Sequence, residues 1–261
     1  ISLLSFLRGN PHMGFDLYSG SLGKFIARDF LSPQAKAAKA SGANFTTISM
    51  SARPSREISN RYAEEVINAL KGVDADLGLD WNEGNETYLS EQLHEECFTA
   101  LIHHSVRFSV PDYNPPKKVS EMRTPDVFKL GLSRDDYIGG PVGTFECQFI
   151  FRGDESLTFM FEHPGLGRGI VTTYEAVKAD IERMSKILLT ETDNLDEIFN
   201  MGPPQNGQLT VMVKSLPFMK TKPKTIIVED EVLHAAKYAL ACYDRVFRFA
   251  LKHGYPIFHD R

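Results

Sequence analysis

The segment that most constrains this chain is 229–254, EDEVLHAAKYALACYDRVFRFALKHG. Val232, Ala236, Leu240, Tyr243, Phe247 and Leu251 recur at three- and four-residue spacing, which places them on one face of an α-helix. Acidic residues open the segment, basic ones stand near its end and Gly254 closes it, an order that suits the helix macrodipole. A long helix with one apolar stripe needs a second layer to cover that stripe.

Further helices are expected. Ser32-Pro33 opens SPQAKAAKASG, with Ser as N-cap, Pro in the first turn and Gly42 as the stop. The segment 55–72 carries Ile58, Tyr62, Val66 and Leu70 on one face. A third helix is expected to begin at Ser90, with Leu93, Cys97, Ala100, Leu101 and His104 along a stripe. Thr172 and Glu175 stand three apart as a capping box, ahead of Val177, Ile181, Met184 and Leu188. A short helix is expected near Asp193–Phe199.

Between these lie strand-like runs: a short one after Met13, ANFTTISM at 43–50, and SVRFSV at 105–110. GTFECQFIF and SLTFMFEH flank RGDE and read as a hairpin; QLTVMVKSL and KTIIVED read as another. Hairpins outnumber strand–helix–strand alternation. The expected fold is therefore α+β, a mainly antiparallel sheet with hairpins, packed by about five helices including the long C-terminal one.

Residues 1–12 read as a tag or extension ahead of Met13, on the His12-Met13 junction alone, and 13–261 as a single α+β domain. A sub-division near 111–142 stays open, because the loops at 111–126 and 131–143 are long and rich in Pro and Gly.

A formal net charge of −5 argues against sequence-independent nucleic-acid binding and gives no attraction to an anionic membrane. No stretch has the length of apolar sequence that a membrane-spanning helix needs. Cys97, Cys147 and Cys242 are three in number and far apart, so neither a disulfide framework nor a zinc knuckle is supported. Buried thiols of a cytoplasmic protein are the plain reading.

Candidate chemistry is sparse. GLGRG, at 165–169, sits between a strand-like run and a helix-like segment, as phosphate-binding loops do. Gly165, Gly167 and Gly169 would let backbone amides approach an anion, and Arg168, with His163 nearby, would clamp a phosphate or carboxylate. The pattern is GxGxG, neither of the established glycine-loop signatures, and a plain strand-to-helix connection explains it as well. HEECFTALIHH contains His94, His103 and His104, but His94 and His103 fall on opposite faces of a helix at about 100° per residue. No metal site and no cofactor are expected. No GxSxG elbow is present. Asp135, Asp136 and Tyr137 lie in a Gly-rich loop, where two carboxylates beside an aromatic suit a cationic partner surface.

These readings favour a cytoplasmic, non-enzymatic binding protein with a protein partner, such as an immunity-type protein that neutralises a partner. The alternative is an enzyme or ligand-binding domain for a phosphate- or carboxylate-bearing small molecule at 163–175. A homodimer seam along the long C-terminal helix stays open beside a core role for that helix.

Overall fold

The computed structural model describes residues 15–21, 87–153, 155–163, 167–205, 207–213 and 222–260. The helices expected at 32–42 and 55–72 and the strand expected at 43–50 lie outside the described residues. Within them the elements begin with β1 (Phe15–Ser19), β2 (Leu89–Leu93), α1 (Glu95–Ser109), α2 (Arg134–Gly139) and α3 (Pro141–Glu146). There follow β3 (Phe149–Phe151), β4 (Thr158–His163), β5 (Gly167–Thr173), α4 (Tyr174–Leu188) and α5 (Leu195–Met201). The hairpin strands β6 (Gln208–Val213) and β7 (Lys222–Ile227), the long helix α6 (Glu231–His253) and β8 (Ile257–Asp260) complete the set.

The fold is α+β, as the patterning requires. One sheet has the order β2-β1-β8-β3-β5-β4, antiparallel at every step except β3–β5, and β6 and β7 form a separate antiparallel pair. The β6–β7 pairing agrees with the second expected hairpin. The first does not survive: β3 pairs with β5 and β8, while β4 pairs with β5 at the sheet edge. The strand that comes between was hidden in the glycine segment, whose residues have little β-propensity of their own. Burial explains why it is nonetheless a strand. Ile170, Val171, Thr172 and Thr173 are all buried, as are Phe149, Ile150 and Phe151 beside them.

Three other boundaries differ from the sequence reading. Ser90 does not start a helix, because Leu89–Leu93 alternates in exposure and pairs with β1, and α1 begins at Glu95 with Glu95 and Glu96 in its first turn. Carboxylates there complement the helix dipole. The strand expected at 105–110 is the end of α1: Ile102 and Val106 continue a buried i, i+4 row. The Gly-rich loop expected at 131–143 holds α2 and the start of α3. Ser133 caps α2, its Oγ accepting from the Asp136 amide at 3.0 Å and donating to Asp136 Oδ2 at 2.6 Å.

In α4 the expected inward row is correct: Val177, Ile181, Met184 and Leu188 are buried. The expected capping box is not formed. Thr173 is the N-cap, and the Thr172 hydroxyl instead lies 2.7 Å from the Thr158 hydroxyl across the sheet.

The core lies where α1, α4 and α6 meet each other and the sheet. On α6 the stripe Val232, Ala236, Leu240, Tyr243 and Phe247 is buried as expected, but Leu251 is 59% exposed. Ala250 takes the last core position in its place. Asp230 caps the helix by accepting from the Leu233 amide at 2.8 Å, and Gly254 ends it at φ 70°. We expect Leu240→Ala to cost about 2–5 kcal/mol by cavity formation and Asp230→Ala about 1 kcal/mol by loss of the cap. Urea denaturation followed by circular dichroism measures both.

Candidate functional site

Gly167 and Gly169 lie in β5, not in a strand-to-helix connection. His163 pairs with Gly167, Glu162 with Arg168 and Phe161 with Gly169; Gly165 lies outside the described residues. β5 runs from Gly167 to Thr173 before α4 begins at Tyr174. At about 3.3 Å per residue, that strand holds Gly167 about 20 Å from the first turn of the helix. The helix N-terminus that makes a glycine loop attractive to phosphate is therefore remote from it. Gly169 has a packing reason of its own: a Cβ there would collide with the side-chain oxygen of Gln148. Gln148 in turn links the sheet, donating its amide to Ile170 O at 2.8 Å and accepting from the His259 amide at 3.1 Å.

Asp135 and Asp136 stand in the first turn of α2. Asp136 is engaged in the cap, and the Tyr137 hydroxyl donates to the Glu146 carboxylate. The Tyr137 ring lies 5.2 Å from that of Phe128, which is 55% exposed. One turn back, Arg134 Nη2 reaches Met160 Sδ of β4 at 3.5 Å, and Met160 is 41% exposed. Phe128, Tyr137, Arg134 and Met160 thus form one continuous surface along α2 and the edge strand. α2 packs on β4, and the contact between them runs through Arg134 and Met160. Phe128 and Met160 carried no signal of their own, since exposed apolar side chains are common and only their contiguity is informative.

The interior holds further polar groups, on α1 and along the first half of α6. His103 and His104 are both buried. His103 Nε2 lies 2.7 Å from the Arg123 carbonyl and Nδ1 contacts the Tyr113 hydroxyl. Neither ring nitrogen of His104 has a hydrogen-bond partner among the described residues. Burial pushes His104 down to about 4, with the Arg107 cation adding to the drop and the Asp230 carboxylate opposing it. On α6, Lys237 Nζ meets Asp193 Oδ2 at 2.7 Å although Lys237 is almost fully buried. Burial raises the Asp193 carboxyl, but hydrogen bonds from Lys237 and Thr190 outweigh it and hold it below the ordinary value. His234, one turn before Lys237, is lowered by burial and by the Lys237 cation.

The sequence shows only part of this: His104 falls on an apolar row, whereas Asp193 and Lys237 are far apart in sequence and nothing local pairs them. Among the described residues no group of three or more His, Cys, Asp or Glu side chains is placed to hold a metal ion. The three cysteines are buried free thiols, and burial pushes Cys97 and Cys242 up to about 12, far from a reactive thiolate. Among the described residues no helix is long and apolar enough to cross a membrane. No family model, curated protein or solved structure matches the chain.

Asp193→Asn leaves the Lys237 cation nearly buried without its counter-charge, and we expect a loss of about 1–3 kcal/mol at neutral pH. The folded-state pKa of Asp193 is lowered, so its stabilisation is present above 3.8 and fades as pH falls through the lower folded value. The difference between wild type and variant in urea melts should accordingly shrink at the acid end. A constant difference from pH 7 to pH 2 would contradict this assignment.

Proposed function

We propose that the protein is a non-enzymatic binding protein, and that its partner docks on the surface formed by Phe128, α2 and the edge strand β4. The observation that carries this reading is the contiguity of that surface. Ile227 and Leu251 are also exposed, at 83% and 59%. Isolated exposure of that kind is ordinary, but two large apolar side chains joined through Tyr137 and Arg134 are a feature that protein interfaces use. Aromatic and Met side chains are enriched at interface centres, and charged groups at the rim add orientation. β4 also stands last in its sheet among the described residues, with one side bonded to β5. An edge of this kind accepts an added strand, and pockets along it select alternate side chains.

The partner chemistry follows from charge. Asp135 is exposed beside the apolar patch, and the whole chain carries −5. The fitting occupant is an extended segment of a basic protein, with apolar side chains for Phe128 and Met160 and a Lys or Arg for Asp135. An immunity-type role, in which this cytoplasmic acidic protein neutralises a basic partner, is the finer form of the proposal.

The test is binding of the product of the neighbouring gene by isothermal titration calorimetry. The expected result is a dissociation constant of micromolar or tighter. Phe128→Asp combined with Met160→Asp should weaken it at least about tenfold, or about 1.4 kcal/mol, without a change in melting temperature. Asp135→Lys should weaken it less, with a reduced salt dependence. No binding at micromolar concentration, or full binding by the double variant, would overturn the proposal.

A further inference from the structure

Strand pairing assigns every residue of the larger sheet to one of its two faces. Side chains alternate along a strand, and residues paired across strands share a face. Leu17 and Ser19 of β1 therefore lie with His259 and Ile257 of β8, and Ile257 lies with Ile150 of β3. Tyr18 lies on the opposite face with Phe258 and Phe149, and beyond them with Val171 of β5 and Phe159 of β4.

The described helices use the first face. α1, α4 and α6 pack in one cluster with Leu17, Ile150, Ile170 and Ile257. Glu91, opposite Leu17, reaches Arg245 of α6, and α2 meets Met160, which stands opposite Ile170. Of the described residues, that cluster takes in none of Tyr18, Phe149, Phe151 and Phe258.

Those four belong to a row of aromatic rings on the second face. Ring centroids are 5.6 Å apart for Tyr88 and Tyr18 and 6.1 Å for Tyr18 and Phe258. They are 5.7 Å apart for Phe258 and Phe149 and 6.1 Å for Phe149 and Phe151. Tyr18, Phe151, Val171 and Phe258 are each at most 1% exposed. Neighbours within a sheet cover the flanks of a side chain and leave its tip bare, so burial this complete needs a layer above it. The footprint of that layer has edges. Ser90 and Gln92 of β2 and Asp16 of β1 share the second face and are exposed, while Phe159 is half-buried. The cover is therefore centred on β8 and β3.

These side chains are buried within a single chain, so the chain supplies its own cover. Its connections single out one segment. Ser19 pairs with Leu89, so β1 and β2 are adjacent antiparallel strands that a two-residue turn could join. Residues 22–86 are strung between them instead, and leave and re-enter at the same end of the sheet. Within this segment Ile58, Tyr62, Val66 and Leu70 repeat every four residues along the helix expected at 55–72. Such a helix is about 27 Å long at about 1.5 Å per residue, whereas the steps from β1 to β5 span about 14 Å at about 4.8 Å each. The apolar row is long enough to cross the footprint. By contrast, residues 1–14 lead into the opposite end of β1, and 214–221 join the separate pair β6–β7.

We propose that 22–86 supplies a third layer of the fold: it returns over the aromatic face and seats Ile58, Tyr62, Val66 and Leu70 on Phe258, Phe149 and Phe151. The occupant of that face is thus a segment of the same chain, not a second copy and not a separate partner.

The experiment places p-benzoylphenylalanine at Phe159, the half-buried border of the footprint, in the full chain mixed with an equal amount of 15N-labelled chain. After irradiation, mass spectrometry should find the dominant product within one chain, joined to peptides of 55–72. A dominant product with any other segment, a product that mixes the isotope labels, or no product would overturn the proposal. A second measurement needs no photoreactive residue. Phe258→Leu and Val66→Ala should each lower the melting temperature, and the two shifts should not add in the double variant, because both remove parts of one contact. Additive shifts would refute the seating of the row; if Phe258→Leu does not fold, Phe149→Leu serves at the same contact. The surface along α2 and β4 lies on the helix face and the outer edge, so this inference goes beyond the partner reading and each can fail without the other.

Discussion

The rest of the described structure depends on the burial of one face of α6. Val232, Ala236, Leu240, Tyr243 and Phe247 lie among α1, α4 and the sheet, and Tyr243 adds a bond from its hydroxyl to the Phe145 carbonyl at 2.8 Å. Each large apolar side chain so buried contributes about 1.5–3 kcal/mol. The ion pairs on the solvent side of the same helix, Arg248–Asp196 and Arg245–Glu91, involve half-exposed arginines and are worth at most about 1 kcal/mol each. Packing fixes where α6 lies; the exposed pairs refine the position of α5 and β2 against it.

Sequence patterning revealed this helix because its signal is redundant: apolar period, acidic start, basic end and closing glycine all agree. The same redundancy made α4 legible, down to Met184 and Leu188. What failed was local in appearance and tertiary in cause. Thr172 and Glu175 have the spacing of a capping box, but the Thr172 hydroxyl finds Thr158 across the sheet instead. Gly167 and Gly169 look like a turn, yet they begin a strand whose residues Ile170 and Val171 are buried between β3 and β4. The run Ser105–Val110 alternates like a strand, but Ile102 and Val106 are one turn apart and extend α1. Asp135 and Asp136, expected in a loop, instead open a short helix, where their carboxylates suit the first turn.

Polar groups fall into an inner and an outer set. Inside, Lys237–Asp193 and His103 tie together separate segments of the chain, while burial lowers His104. Outside, the surface along α2 and β4 has few obligations to the core. Tyr137 is the exception, since it joins Glu146 inward and Phe128 outward. That dual attachment keeps the outer surface in a fixed orientation relative to α3 and the core beneath it.

The place of β8 in the sheet has a consequence for how such a chain reaches its native state. β8 lies between β1 and β3, with Asp16 opposite Asp260 and Ile150 opposite Ile257. The strands on its two sides have no hydrogen bonds to each other, so one half-sheet holds β1 and β2 and the other holds β3, β4 and β5. On a ribosome, both halves emerge long before the four residues that join them. Closure of the sheet thus follows the emergence of both halves, and its β1–β8 side is slow to form, because Asp16 and Asp260 are far apart in sequence. Until then each half exposes a bare inner edge, which is the species most in need of a chaperone.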